Sequence, residues 1–153
     1  KILKKYNYLY LLIIGEGEEK ASLKKVVEEN EIENKVFFLG QIKNVYPFIK
    51  NSMAIVSSSL WEDPGAVMIE SSYCQKPVIA SNCPNGPEEF LSYGKGGYLF
   101  SNNNLQELEQ KLTKFLNDEE KNIMHKVLLS KKNSRNFSMF NHFIKLNKLL
   151  QSN

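Results

Sequence analysis

The chain has 153 residues, of which 42% are hydrophobic and 24% charged, a composition typical of one globular domain with a hydrophobic core. Its formal net charge of +3 is too small to indicate nucleic-acid binding. Its two cysteines form no CxxC pair, so neither a disulfide framework nor a zinc site is indicated, and a cytoplasmic location is expected.

Strands and helices are predicted to alternate along the chain. Short apolar runs that end in Gly or Ser predict β-strands, and the stretches between them have helical spacing of apolar residues. The predicted strands are 8–15, 35–40, 53–59, 76–81 and 96–101. The predicted helices are 18–30, 45–52, 64–74, 104–117, 119–133 and 139–150, with a further helical turn that begins at Pro87. Pro47 is expected in the first turn of helix 45–52. Helix 64–74 is expected to have Asp63 as its N-cap and Pro64 as its first residue.

This alternation predicts an α/β fold with a doubly wound, Rossmann-like parallel sheet, in one domain spanning residues 1–153. The continuous apolar run of residues 8–15 predicts a strand buried on both faces. The trailing helices, residues 118–153, are basic, which fits either a solvated helix face or peripheral contact with an anionic membrane. Ligands of such sheets bind at the carboxyl ends of the strands, where the loops contain the candidate site residues.

The first of these loops contains Gly15-Glu16-Gly17, which follows a strand and opens a helix. Two glycines allow a tight turn and a close approach of the backbone to a ligand. A complete dinucleotide fingerprint would need a third Gly where this chain has Lys20. The motif therefore indicates either a ligand contact or a plain strand-to-helix turn.

The third loop is rich in serine and leads through Glu62 into a helix that contains Glu70. The backbone N–H groups of Gly65, Ala66 and Val67 would lie at the positive end of that helix, which suits a phosphate. The Glu70 carboxylate could accept hydrogen bonds from a diol such as a ribose. The spacing fits a sugar at each end of a diphosphate, but it also fits a capping Glu62 and an exposed helical Glu70. After the next strand, Glu88 and Glu89 are expected to stabilise a helix N-terminus.

The order of these segments resembles the C-terminal domain of the retaining glycosyltransferases of family four, which have the GT-B fold. Glu62 and Glu70 match that family's E-x(7)-E motif, in which seven residues separate the two acids. The resemblance extends over roughly residues 9–117. The segments that carry it are GEG, KVFFLG, SSLWEDPGAVMIE, KPVIASNCPNGPEE and GKGGYLF.

The resemblance implies a domain that binds a nucleoside-diphosphate sugar, above all a UDP-sugar, as substrate, without a metal ion or other cofactor. Glu70 would hold the ribose hydroxyls, and Glu62, the candidate catalytic residue, would contact the donor sugar or its phosphate side. The backbone at Gly65, Ala66 and Val67 would meet the sugar and diphosphate. The loops after the first two strands would line the nucleoside pocket with Gly15, Gly17, Gln41 and Ile42.

The sequence departs from the family pattern in two ways. Where the family commonly has Gly after the first acid, this chain has Asp63, a donor-site candidate whose charge would lie beside the diphosphate. The family's Arg/Lys pair, which neutralises that diphosphate, belongs upstream of the strand ending at Gly15, and Lys20, Lys43 or Lys95 need not replace it. We therefore expect a fragment with an uncovered sheet edge, lacking the preceding acceptor domain, that does not turn over alone.

The function predicted by the resemblance is hexosyl transfer, with retention, from a nucleoside-diphosphate sugar to a glycan or lipid-linked acceptor in bacterial polysaccharide or lipopolysaccharide synthesis. The expected partners are the nucleotide sugar and the acceptor domain of the same protein, not nucleic acid. Two alternatives stay open. The first is a non-catalytic α/β binding domain, which would have no nucleotide affinity. The second is a GT-B sugar-nucleotide epimerase, against which the E-x(7)-E match argues and which the full-length sequence would settle.

Overall fold

The computed structural model describes residues 1–63 and 65–151, and the chain divides into two compact units, residues 1–45 and residues 46–153. Each unit contains its own parallel sheet, of two strands in the first and three in the second. The α/β class with parallel strands predicted from the sequence is confirmed.

The first unit contains two helices and two strands. The strands pair in parallel, Leu11 opposite Val36, with an irregularity that places Ile14 opposite Gly40. The elements are α1 (Ile2–Lys5), β1 (Leu11–Ile14), α2 (Lys20–Glu29) and β2 (Val36–Gly40).

The predicted burial of the first strand is wrong. Leu11 and Leu12 of β1 are 40% and 43% exposed, although both are large and apolar. The side chains of a strand project from the two faces of its sheet, so this exposure shows that the described elements leave the faces of β1 only partly covered. An apolar run predicts a strand with the capacity to be buried, whereas its actual burial depends on which elements surround it.

The second unit has a three-stranded parallel sheet in the order β3-β4-β5. The central strand β4 is buried along its whole length, and its Val78 lies opposite Ile55 of β3. The elements are α3 (Tyr46–Asn51), β3 (Ile55–Ser57), α4 (Ala66–Tyr73), β4 (Val78–Ser81), α5 (Pro87–Phe90), β5 (Tyr98–Phe100), α6 (Leu105–Asn117), α7 (Glu120–Ser134), a 3-10 turn (Arg135–Phe137) and α8 (Met139–Gln151).

The core of the second unit lies on both faces of this sheet. Because side chains of a strand alternate between faces, Val78 and Ala80 point to one side and Ile79 to the other. The first side packs against a cluster that includes Met68 of α4 and Phe90 of α5. The other side packs against residues of β5 and α6, which are Tyr98, Phe100 and Phe115. The sheet is therefore covered by helices on both faces, and α4 is held directly against it.

The start of α4 differs from the prediction. Asp63 is not the N-cap, because the helix begins at Ala66 with Gly65 as its N-cap. Gly65 has a φ of +87°, a left-handed conformation that favours glycine over any residue with a Cβ atom. The predicted first helical residue, Pro64, lies outside the described residues. By contrast, the predicted first helical position of Pro87 is confirmed.

None of the described helices has both the length and the apolar character needed to cross a bilayer.

Candidate functional site

The loop between β3 and α4 holds the Glu62 carboxylate in a defined position. Ser59 Oγ donates to Glu62 Oε1 at 2.7 Å, and Ser57 Oγ lies 3.3 Å from the same oxygen. The two hydroxyls are themselves 3.2 Å apart. Hydrogen bonds to an ionised acceptor are stronger than those between neutral groups, so this pair of serines orients the carboxylate.

The main chain of the same loop is tied to the ends of the neighbouring strands. Ser81 Oγ, at the end of β4, donates to the carbonyl of Ser59. Asn102 Nδ2, just after β5, donates to the carbonyl of Leu60 at 3.1 Å. The Glu62 amide donates to the carbonyl of Pro84 at 3.3 Å. These contacts fix the loop at the carboxyl ends of the strands, where the sequence predicts ligand binding.

Gly65 brings Glu62 close to the beginning of α4. A Cβ atom at Gly65 would lie 3.6 Å from Glu62 Oε2 and would overlap the Met68 methyl group. Gly65 is buried, whereas Ala66 and Val67 are exposed. No acceptor for the amides of Ala66 and Val67 lies within residues 1–63 or 65–151. Such amides at a helix N-terminus are suited to an anion.

Glu70 lies one turn further along α4. It stands four residues after Ala66 and three after Val67, so the three side chains lie on one face of the helix. This face is opposite to the packed one, which carries the buried Met68 and Ser72. The Glu70 side chain is half-buried, and its carboxylate has no hydrogen-bond or ion-pair partner in the part of the chain that the structure describes. A half-buried carboxylate without a protein partner is available to a ligand.

In the second unit, the structure therefore brings together the predicted residues Glu62, Gly65, Ala66, Val67 and Glu70. Asp63 is exposed and does not cap the helix.

The remaining predicted residues form a separate group in the first unit. Gly15 has a φ of +127°, and its amide donates to the carbonyl of Gly40 at 2.8 Å, which joins the two loops after β1 and β2. A Cβ atom at Gly40 would lie 2.8 Å from Glu16 Oε1, so the Glu16 carboxylate lies over the second loop. Lys20 donates to that carboxylate at 2.9 Å. Three further predicted residues lie in these loops, of which Gly17 and Gln41 are exposed and Ile42 is half-buried.

Three groups with shifted pKa values lie outside these loops, around the start of α7. Burial raises the pKa of Tyr98, whose hydroxyl donates to Asp118 Oδ2 at 2.9 Å. Hydrogen bonds from the Asn122 side chain and then from Tyr98 hold the pKa of Asp118 below its usual value. Burial lowers the pKa of Lys126, which donates to the carbonyl of Gly94 at 2.9 Å. These contacts join β5 to α7 and have a structural role.

Sequence reasoning missed the residues that support the loop. Ser57 and Ser59 precede Glu62 in the sequence, so the serine run itself was a usable signal. Ser81 and Asn102 contact the loop from 22 and 42 residues away, and no pattern in a single sequence indicates such pairs. Within the described residues, no group of three or more His, Cys, Asp or Glu side chains is placed to hold a metal ion.

A parallel sheet covered by helices, with an anion-suited loop at its strand ends, defines a Rossmann-like nucleotide-binding class of fold. Residues 1–127 match the family described as "Glycosyl transferases group 1", and the chain belongs to that family. The family expected from the sequence resemblance is thus confirmed.

Two bacterial relatives are similar to most of this chain. Poly(ribitol-phosphate) alpha-N-acetylglucosaminyltransferase of Staphylococcus aureus is 30% identical over 118 residues, which cover 77% of this chain and 24% of that protein. N-acetyl-alpha-D-glucosaminyl L-malate synthase of Bacillus anthracis is 30% identical over 110 residues, covering 72% of this chain and 29% of that one. The chain thus spans less than a third of the length of either relative.

Solved structures have the same fold. A Staphylococcus aureus TarM mutant in complex with Fondaparinux, alpha-GlcNAc-glycerol and UDP matches with a TM-score of 0.84 at 27% identity, covering 98% of this chain and 30% of that chain. The C-terminal domain of a group 1 glycosyl transferase from Francisella tularensis matches with a TM-score of 0.77 at 20% identity, covering 90% and 74%. These likenesses agree with the GT-B fold expected from the sequence.

Proposed function

We infer that the chain is the donor-binding part of a retaining hexosyltransferase, which uses a nucleoside-diphosphate sugar to extend a glycan or lipid-linked acceptor in bacterial surface-polysaccharide synthesis. The observation that carries this proposal is the half-buried Glu70 carboxylate, which has no partner in the described part of the chain and shares a helix face with the amide-bearing start of α4. The chain is similar to a 27% identical protein whose solved structure is a complex that includes UDP, and this similarity favours a UDP-sugar as donor.

Each end of the donor has a proposed partner in the second unit. The amides of Ala66 and Val67 donate to the oxygens of the diphosphate, because they carry the partial positive charge of the helix N-terminus. Glu70 accepts hydrogen bonds from the ribose hydroxyls, which are donors suited to a carboxylate. Glu62, oriented by Ser57 and Ser59, contacts the donor sugar.

The proposed chemistry is electrostatic. As the bond between the anomeric carbon and the diphosphate breaks, negative charge accumulates on the leaving oxygen, and preorganised N–H groups stabilise it. The fixed backbone at Gly65 and the serine-held loop supply such preorganisation without a protein nucleophile. Asp63 lies in the same loop, and its charge limits how closely a diphosphate can approach from that side.

Four residues of the first unit are proposed as nucleoside contacts. Support comes from the joined loops after β1 and β2, in which exposed backbone and small side chains leave room for a ligand. These residues are Gly15, Gly17, Gln41 and Ile42. We propose no metal ion, no other cofactor and no nucleic-acid partner.

The relatives are three to four times longer than the matched segment, so the whole protein's reaction needs more polypeptide than these residues. We propose that an acceptor-binding domain is a partner of this chain and that the 153-residue chain alone binds a donor without turnover. A cytoplasmic location, with peripheral membrane contact through the basic C-terminal helices, is part of the same proposal.

The test is calorimetric titration of UDP, GDP and ADP into the chain, into Glu70→Ala and into Glu120→Ala. Glu120 is an exposed glutamate at the start of α7 and serves as the matched control. We expect one nucleotide to bind, Glu70→Ala to weaken it about tenfold or more, and Glu120→Ala to leave it unchanged. A folded chain that binds none of the three nucleotides, or binds one equally well without Glu70, would refute the donor-site proposal and favour a non-catalytic domain.

A further inference from the structure

Two large apolar side chains project from the loop that carries Glu62. Leu60 and Trp61 are 61% and 60% exposed. Trp61 is the single tryptophan of the chain. An indole left in water forgoes a large stabilisation by burial, so the ring beside Glu62 has apolar surface available to a ligand.

The backbone on both sides of Trp61 is held in place. The carbonyl of Leu60 accepts from Asn102, the carbonyl of Ser59 accepts from Ser81, and the amide of Glu62 donates to Pro84. Trp61 is thus presented by a fixed main chain, although its ring does not belong to the core. A rigid anchor of this kind loses little conformational entropy when a ligand binds.

The neighbourhood of Trp61 combines apolar and hydrogen-bonding groups. Its ring offers an apolar face, Glu62 next to it is a carboxylate held by Ser59, and Asp63 is an exposed carboxylate on the following residue. A pyranose ring has the complementary composition, because its C–H groups form an apolar face and its hydroxyls are hydrogen-bond donors at the rim.

We propose that Trp61 is a sugar-binding residue, against whose indole ring a pyranose stacks while its hydroxyls reach the adjacent carboxylates. This assignment rests on the proposed function and adds the element that recognises the sugar as distinct from the nucleotide. The pyranose is either the hexose of the donor or the terminal sugar of the acceptor, since both present the same apolar face.

The single tryptophan makes the test direct, because emission excited beyond the tyrosine absorption reports on residue 61 alone. The probes are UDP, UDP-N-acetylglucosamine, UDP-glucose and methyl α-glucoside, with acrylamide as quencher and calorimetry for affinity. We expect a sugar-bearing probe to shift the emission and to reduce acrylamide quenching about twofold, while UDP leaves both unchanged.

Substitutions distinguish the contribution of the indole ring to sugar affinity from that of the rest of the loop. Trp61→Ala weakens the sugar-bearing probe about fivefold and leaves UDP affinity unchanged, whereas Trp61→Phe keeps most of the affinity because an aromatic face remains. Leu60→Ala is the matched control, equally exposed in the same loop, and is expected to change neither affinity. Circular dichroism confirms that each variant is folded.

The outcomes distinguish this inference from the proposed function. Protection by a UDP-sugar assigns the ring to the donor, and protection by methyl α-glucoside assigns it to the acceptor. UDP binding with no response of Trp61 to any sugar-bearing probe, or equal losses in Trp61→Ala and Leu60→Ala, overturns the stacking role and leaves the donor site standing. A folded chain that binds no nucleotide and no sugar overturns both.

Discussion

Gly65 is a position at which both the backbone conformation and the packing require glycine, and the Gly65→Ala variant tests this requirement. An alanine there must adopt a φ of +87°, which costs about 1–2 kcal/mol for a residue with a Cβ atom. The new methyl also overlaps the end of Met68, which is fully buried in the core, and moving a packed side chain costs about 1–3 kcal/mol. The expected loss of unfolding free energy is therefore about 2–5 kcal/mol.

The chain provides a control that isolates the backbone contribution. Gly94 has a φ of +84°, but no atom lies within 4 Å of a Cβ placed there, so Gly94→Ala should lose only about 1–2 kcal/mol. Both variants are compared by urea unfolding, followed by far-ultraviolet circular dichroism. If Gly65→Ala destabilises no more than Gly94→Ala, the close packing of Met68 against the start of α4 is refuted.

Two further predictions follow from the hydrogen bonds. Ser59→Ala removes the 2.7 Å donor to Glu62 and is expected to weaken UDP-sugar affinity severalfold while leaving UDP affinity unchanged; equal losses for both ligands in calorimetry would contradict this role. Because hydrogen bonds lower the pKa of Asp118 in the folded chain, its contribution to stability is present above the unfolded value, near 3.8, and is lost as pH falls through the lower folded value. Acid unfolding should therefore depend less on pH in Asp118→Ala than in the parent chain, and identical pH profiles would refute that linkage.

Local signals allowed much of the second unit to be predicted. The helix expected at residues 104–117 occurs as Leu105–Asn117, because Asn104 is its N-cap and accepts from the Glu107 amide at 3.0 Å. Pro87 begins α5 because its fixed φ and missing N–H suit a first helical position. Such signals lie within a few residues of the feature that they specify, so a single sequence contains them.

Features that depend on distant contacts could not be predicted in this way. The exposure of Leu11 and Leu12 depends on which elements cover the faces of β1, and a single sequence does not indicate these elements. The N-cap prediction at Asp63 followed general residue preferences, whereas the helix has Gly65 as its N-cap, with a left-handed φ of +87° and no room for a Cβ atom beside Met68. The close approach of Met68 is a tertiary contact that residue preferences do not contain.

The candidate site likewise has features that the sequence indicates and features that only the structure shows. The spacing of Glu62 and Glu70 is a property of the sequence, and with the family resemblance it identifies the pair. The anchoring of the loop by Ser81 and Asn102, and the exposure of Trp61, appear only in three dimensions.

The central claim is that Glu70 holds the ribose of a bound nucleotide, and a double cycle of ligand and side chain tests it most directly. UDP and 2′,3′-dideoxy-UDP are titrated into the chain and into Glu70→Ala. We predict that Glu70→Ala binds UDP about tenfold or more weakly than the parent chain does. We predict that the parent chain binds the dideoxy nucleotide as weakly as Glu70→Ala binds UDP. For Glu70→Ala, the affinities for UDP and for the dideoxy nucleotide should then be equal. If Glu70→Ala lowers the affinity of both nucleotides equally, or of neither, the carboxylate does not hold the ribose and the claim is contradicted.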